Sequence, residues 1–225
     1  MIIFGAFRYD IVINYAPMLL KGALTTLEIT LISVSLGTFL GLIISLLTLS
    51  KNKALNILGT IYVDFFRGTP LLVQIFMFHF AIIPLIGDFP ALVSGLVALT
   101  LNSAAYVSEI FRAGIQSIEK GQMEAARSLG MTHGQAMRHI IIPQAFKRVI
   151  PALGNEFIAM LKDSSLVSVI ALQELAMTGT LIAGSTYRAF EAYIPVAVLY
   201  LIMTMMLSRF VAYLERRFGK SDLRS

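Results

Sequence analysis

Lys162 and Asp163 stand side by side in a mostly apolar stretch, Pro151–Leu172, with Glu156 about two turns before them. An ionisable group at the centre of a membrane-length stretch costs about 3 kcal/mol and marks a functional position by default. Rising from Pro151 at the inner face, Glu156 lies about 8 Å in, and Lys162 and Asp163 about 17 Å in. The latter depth is near the midplane of a core about 30 Å thick, where transporter sites tend to sit. Adjacent residues on a helix point about 100° apart, so the two charges do not neutralise each other along one face. The chemistry they fit is recognition: a cation for a carboxylate, an anion for an ammonium group or a basic side chain. The same pair equally serves to link helices, or two copies across a dimer, as structure or as a gate. Asn102, Tyr106 and Glu109, spaced i, i+4 and i+7, share a helical face, with Asn102 near the midplane and Glu109 near the inner end. Glu28 lies toward the outer end of its own run and His79 near mid-depth. Against these stand plainer roles: interhelical glue for the Asn102 face, interfacial positions for Glu28 and Glu109, hydrogen-bonded packing for His79.

Catalysis finds no footing. Cysteine is absent, which removes disulfides and thiolate metal sites. No HExxH occurs, and His79, His133 and His139 form no plausible zinc set. GxSxG is also absent, and a serine such as Ser164 or Ser165 is poorly placed to work with Lys162 on one helix. Gly219-Lys220-Ser221 imitates the end of a P-loop, but Leu214 occupies the first glycine's place and an apolar helix precedes it. No catalytic residue, metal or cofactor is expected on this chain.

The elements that must hold these charges are membrane helices. Of the 225 residues, 57% are hydrophobic and 14% charged, against about 25% charged in a soluble domain. Mean hydropathy is +0.79. Charge-free runs long enough to cross a bilayer occur at Ile29–Ser50, Gly68–Gly87 and Phe89–Ser108, with a shorter one at Ala192–Ser208. The expected spans are 24–47, 70–86, 91–110, 151–172 and 192–213. In residues 1–20, Phe4, Phe7, Ile11 and Met18 lie near one face, which predicts a short amphipathic helix in the interface. The start, MIIFGAFRYD, has no basic segment before an apolar core, so the first span is expected to remain in the mature chain. Gly37 and Gly41 form a GxxxG pair that lets another helix approach closely. Asn56–Arg67 reads as a surface helix or the start of the second span, interrupted at Gly68-Thr69-Pro70; 173–191 reads as a loop.

With the N-terminus outside, five spans place fourteen of the eighteen Lys and Arg residues in the three inner segments. That asymmetry predicts N-out, C-in. It also accounts for the +5 net charge without nucleic acid. The polar segment 112–150 is then cytoplasmic. Within it, Gly121–Leu129 predicts a helix with Glu124, Ala125 and Ala126 in its first turns, and Gly130 suits the left-handed position that ends it. Thr132-x-x-Gln135 fits a capping box, and Pro143 is expected to stop or kink the second helix. The product is a rigid elbow of small residues suited to a partner's groove, though an ordinary cytoplasmic connection is built the same way.

This stretch resembles the EAA loop of ABC importer permeases: EAA, three residues, Gly, nine residues, Ile, any residue, Leu-Pro. Glu124-Ala125-Ala126, Gly130, Ile140 and Pro143 occupy those places, with Ile142 where the pattern has leucine. YVDFFRGTPLLVQ (62–74) and FIAMLKDSSLVSVIALQEL (157–175) are similar to the polar amino acid uptake branch of these permeases, and the resemblance covers nearly the whole chain. It implies an all-α, multi-pass permease of the prokaryotic inner membrane, paired with a second permease subunit, itself or a similar chain. It also implies a cytoplasmic ATPase dimer that carries ATP and magnesium, and an extracytoplasmic binding protein that delivers the amino acid. The EAA loop would be the coupling element docked into the ATPase. The resemblance carries over no substrate ligands. Counting Glu28, Glu109, Glu156 and Asp163 against Lys162 leans toward a cationic amino acid, arginine, lysine or histidine, with glutamine also compatible. A stand-alone secondary transporter or channel, and an intramembrane hydrolase, remain as alternatives.

Overall fold

The computed structural model describes residues 7–219, whose regular elements are all helices, with no strand among them. Phe4, part of the amphipathic face expected at the N-terminus, lies outside the described residues. Three helices are long and apolar enough to cross a membrane: α1 (Tyr9–Thr48), α5 (Ala91–Gln116) and α10 (Ala189–Gly219). Two bent helix pairs bring the number to five if each makes one crossing.

The first difference from expectation is at the N-terminus. The amphipathic segment is not a separate interfacial helix but the first part of the 40-residue α1, which is about 60 Å long. Tertiary packing explains it. Ile11, Leu19 and Ala23 are buried against Leu175, Ile182, Ala192 and Val196, so this segment has a protein surface to cover. Farther along, α1 lies against α5 in the most extensive helix pairing of the fold. The GxxxG pair acts here: a Cβ on Gly37 would stand 2.8 Å from Ser103 Cβ, and one on Gly41 2.8 Å from the Ala104 carbonyl oxygen and Val107. Only hydrogen at these positions allows so close an approach.

The helix α2 (Lys53–Gly68), capped by Asn52, crosses from the end of α1 to the middle of α5, where Tyr62 Oη donates to the Leu101 carbonyl at 2.7 Å. It breaks at Thr69-Pro70 and turns by 105° into a second run, α3 (Leu71–Phe76), a π-helical segment (Met77–Ile82) and α4 (Ile83–Ile86). The expected span 70–86 is therefore half of a broken helix. Proline 70, with ψ 134°, precedes the new helix rather than occupying its first turn.

The polar segment 112–150 continues directly into the apolar stretch that follows it. After α6 (Lys120–Ser128), the run α7 (His133–Ala136), a π-helical segment (Met137–Ile141), α8 (Ile142–Asp163) and a 3-10 segment (Ser164–Ile170) is unbroken. Pro143 does not stop it. Proline lacks an N–H and crowds the carbonyl four residues back; the widened π spacing just before it accommodates both defects. The segment expected as a loop, 173–191, contains a further helix, α9 (Leu175–Thr186).

Candidate functional site

The 105° break between α2 and α3 is held from inside. Buried Gln74 donates through Nε2 to the Phe66 carbonyl (2.8 Å), the Thr69 carbonyl (3.1 Å) and Thr69 Oγ1 (2.9 Å). Asn102 Nδ2 donates to Gln74 Oε1 (3.0 Å) and to the same Phe66 carbonyl (3.3 Å). Side-chain amides thus satisfy carbonyls that the end of α2 leaves without helical partners. Asn102 faces the site but spends its donors on this scaffold.

What the break makes room for is a cavity of about 440 Å³. Arg67, Gly68, Thr69, Pro70 and Leu71 line it on one side, Asn102 and Tyr106 from α5 on another, and Glu156, Ala159 and Asp163 from α8 on a third. A second cavity of about 760 Å³ adjoins it, sharing Arg67, Tyr106 and Glu156 and extending to Glu109, Ser117, Arg148 and Asn155. Together the two cavities line α5 and α8 from Asp163 toward Ser117 and Arg148.

Four candidates named from sequence converge here: Asn102, Tyr106, Glu156 and Asp163. Glu156 and Asp163, seven residues apart on α8, share its inner face, and Glu156 Oε1 has a 3.5 Å contact from Ser103 Oγ. Lys162 is exposed and does not line the cavity. Glu28 is exposed on α1, away from both cavities. His79 sits in a separate cavity of about 310 Å³ beside the Gly87-Asp88-Phe89 turn, its Nδ1 3.2 Å from Ser94 Oγ. Glu109 is gripped by Arg112 through two hydrogen bonds of 2.8 and 2.7 Å, with Arg67 Nη1 3.4 Å away.

Two charged residues were not singled out from sequence as site groups. Arg67 counted only as a basic residue of an inner segment, yet it lines both cavities, with its guanidinium carbon 5.3 Å from the centre of the Tyr106 ring. Its position beside the Gly-Thr-Pro break was the available signal. Glu174 fell within the expected loop but is fully buried. Its carboxylate accepts from the backbone N–H of Met177 (2.7 Å) and Ala176 (2.8 Å), from Tyr200 Oη (2.8 Å) and from Thr26 Oγ1 (3.2 Å). It caps α9 and joins α1, α9 and α10 at one point. A carboxylate directly before an apolar helical run is the signal that could have found it.

The elbow on the polar segment has the geometry its residues call for. Gly130 has φ +86°, and the Met131 and Gly130 N–H groups return to the carbonyls of Ala126 (3.2 Å) and Arg127 (3.1 Å), a Schellman ending. Thr132 and Gln135 form the reciprocal capping box. Glu124 lies in the second turn of α6. Glu124, Ala125, Gly130 and Pro143 are exposed, Ala126 is buried, and Leu129 is 83% exposed. Ala126 thus anchors the elbow while an apolar side chain and small residues face outward.

Comparison with known proteins gives consistent matches. A family model for the binding-protein-dependent transport system inner membrane component matches residues 33–220. The probable glutamine ABC transporter permease protein GlnM of Bacillus subtilis (strain 168) is 43% identical over 213 residues, 94% of this chain and 98% of its own length. The arginine transport system permease protein ArtQ of the same organism is 36% identical over 215 residues, covering 95% and 98%. Among solved structures, a chain of an amino acid ABC transporter crystallised with histidines superposes with a TM-score of 0.88 at 46% identity, covering 91% of this chain and 96% of that one. A methionine ABC transporter in an inward-facing conformation shares the fold, with a TM-score of 0.78 at 21% identity.

Proposed function

The chain belongs to the binding-protein-dependent transport system inner membrane components, as a permease of the amino acid ABC type, and from that premise we propose that it carries a cationic amino acid through the cavity between α2, α5 and α8. Membership of the family entails an ATPase and a binding protein as partners, with ATP hydrolysis on the ATPase. The lean toward a cationic substrate rests on the charges that line the 440 Å³ cavity, Glu156 and Asp163 against Arg67. The count is not the one the sequence offers. Glu109 is engaged by Arg112, and Glu28 and Lys162 stand away from the cavity. With one surplus negative charge, the lining is balanced by an amino acid whose side chain carries one positive charge. The relative named for arginine agrees with this reading; the relative named for glutamine does not call for a charged side chain.

The mechanism is alternating access. Five crossings, each bent pair making one, with the N-terminus outside, put the elbow 124–143 in the cytoplasm. Moving Arg67 from the inner loops to the cavity still leaves thirteen of the eighteen Lys and Arg residues on that side. Two permease subunits, identical or similar, enclose the path. ATP and magnesium bind the partner ATPases, whose closure moves the elbows as rigid bodies. Because the elbow's second helix is continuous with α8, its movement is delivered to Glu156 and Asp163 without an intervening flexible loop. Glu124, Ala125, Ala126, Gly130 and Pro143 form the docking element. A stand-alone transporter or an intramembrane hydrolase is not favoured. The buried Ser164 hydroxyl is spent on the Leu161 carbonyl at 2.8 Å.

The test is ATP-dependent uptake by the permease, ATPase and binding protein reconstituted in liposomes. Arginine, lysine or histidine should compete better than glutamate, and Asp163→Asn should lower the preference for the cationic amino acid over glutamine. Stronger competition by glutamate overturns the cationic reading.

A further inference from the structure

Resting on the amino acid reading above, we propose that Arg67 is the anchor for the α-carboxylate of the transported amino acid. Lys162 had the residue type for that role, but it does not line the cavity. Arg67 does, at the boundary with the 760 Å³ cavity. Its guanidinium is a surplus cation. Glu109 is already held in a two-point grip by Arg112 at 2.8 and 2.7 Å, while Arg67 reaches it once, at 3.4 Å. The five donors of Arg67 make no hydrogen bond to any described residue, and its side chain is 42% exposed. The Tyr106 ring, 5.3 Å from its central carbon, supports the planar group.

A guanidinium with open donors fits a carboxylate through two parallel hydrogen bonds, a geometry an ammonium does not offer. The cavity also carries Glu156 and Asp163. Its lining is therefore dipolar in the sense a free amino acid requires, a cation for the carboxylate and anions for the amino end. Peptides blocked at the carboxyl end, and amines without a carboxylate, lack the group Arg67 receives. When substrate arrives, Arg67 exchanges its long contact with Glu109 for the substrate carboxylate, and Glu109 keeps Arg112. The exchange leaves no carboxylate without a partner.

The experiment is isothermal titration of the permease–ATPase complex in nanodiscs with three pairs: arginine and agmatine, histidine and histamine, glutamine and 4-aminobutanamide. Each second member lacks only the carboxylate. The wild-type complex is expected to bind at least one amino acid on the order of tenfold or more tighter than its amine, the scale of a charge-assisted hydrogen bond. Arg67→Gln should bring that ratio to within about threefold while leaving amine binding in place, and Arg67→Lys should fall between. If Arg67→Gln fails to assemble, the Arg67→Lys ratio decides. A variant that keeps the wild-type ratio overturns the assignment while the cavity remains the site. Loss of the ratio on Lys162→Gln but not on Arg67→Gln gives the role to Lys162 and also overturns it. A wild-type complex that binds none of the three amino acids removes both the assignment and the site reading.

Discussion

Replacing Gly130 separates two effects that are usually confounded, backbone strain and surface bulk. Its φ of +86° lies in the left-handed region, where a non-glycine residue pays about 1 kcal/mol and asparagine less. A Cβ added there meets no atom within 4 Å, so the elbow itself has room for a larger side chain. Gly130→Ala therefore introduces strain with little bulk, Gly130→Asn bulk with little strain, and Gly130→Leu both. If the exposed surface around Leu129 and Gly130 docks into the ATPase, added bulk overpacks that contact at about 1–3 kcal/mol. That is roughly five- to 150-fold in affinity. The expected order of damage is Leu, then Asn, then Ala. Strain alone gives another order, with Ala and Leu alike and Asn mildest. The assay is the amount of ATPase that co-purifies through a tag on the permease, with ATP turnover and uptake in liposomes measured on the same preparations. Gly130→Leu should lose ATPase and uptake while inserting normally in the membrane. A Leu variant with a full complement of ATPase and wild-type uptake refutes the docking role.

Two predictions concern the scaffold. Glu174→Ala removes one side chain and leaves three donors, the N–H groups of Ala176 and Met177 and the Tyr200 hydroxyl, without an acceptor inside the protein, while the Thr26 hydroxyl keeps the Gly22 carbonyl. At about 1–3 kcal/mol for each unsatisfied group, partly recovered by relaxation, a loss on the order of 3–5 kcal/mol is expected. It should appear as a clearly lower melting temperature of the purified complex in detergent, and an unchanged melting curve would show that the carboxylate does not hold α1, α9 and α10 together. Gly41→Leu forces a side chain against the Ala104 carbonyl and Val107, where even a Cβ stands only 2.8 Å away. It should reduce the yield of folded permease sharply, read as the monodisperse fraction in size exclusion, whereas an unaffected yield would mean that α1 and α5 can separate at no cost.

How much of this was legible beforehand depends on the range of the forces involved. The elbow was readable in detail because capping is local: Thr132 and Gln135 are three residues apart, and the glycine ending is set within one turn. The close approach at Gly37 and Gly41 was readable because two missing side chains on one face leave few alternatives. The helix boundaries were less so. Hydropathy marks where a chain is apolar, but α1 continues to Tyr9 because α9 and α10 give its first turns a surface to bury against. The run through Pro143 continues because a π-helical segment absorbs the proline.

The site shows the same division. By itself the sequence determined that this is a helical membrane chain, that a glutamate and an aspartate interrupt its fourth apolar stretch, and that a capped, glycine-ended elbow precedes them. Composition, period and near-neighbour spacing encode those facts without reference to anything distant. Which charges share a space was decided only by tertiary structure. Lys162 and Asp163 are neighbours in the chain but only Asp163 lines the cavity, since adjacent helical residues point about 100° apart. Arg67 is 89 residues from Glu156, and they meet because buried Gln74 and Asn102 hold a 105° break that turns the end of α2 toward α5 and α8. A charge reads its surroundings through space, and the path of the backbone between two charges sets what that space contains.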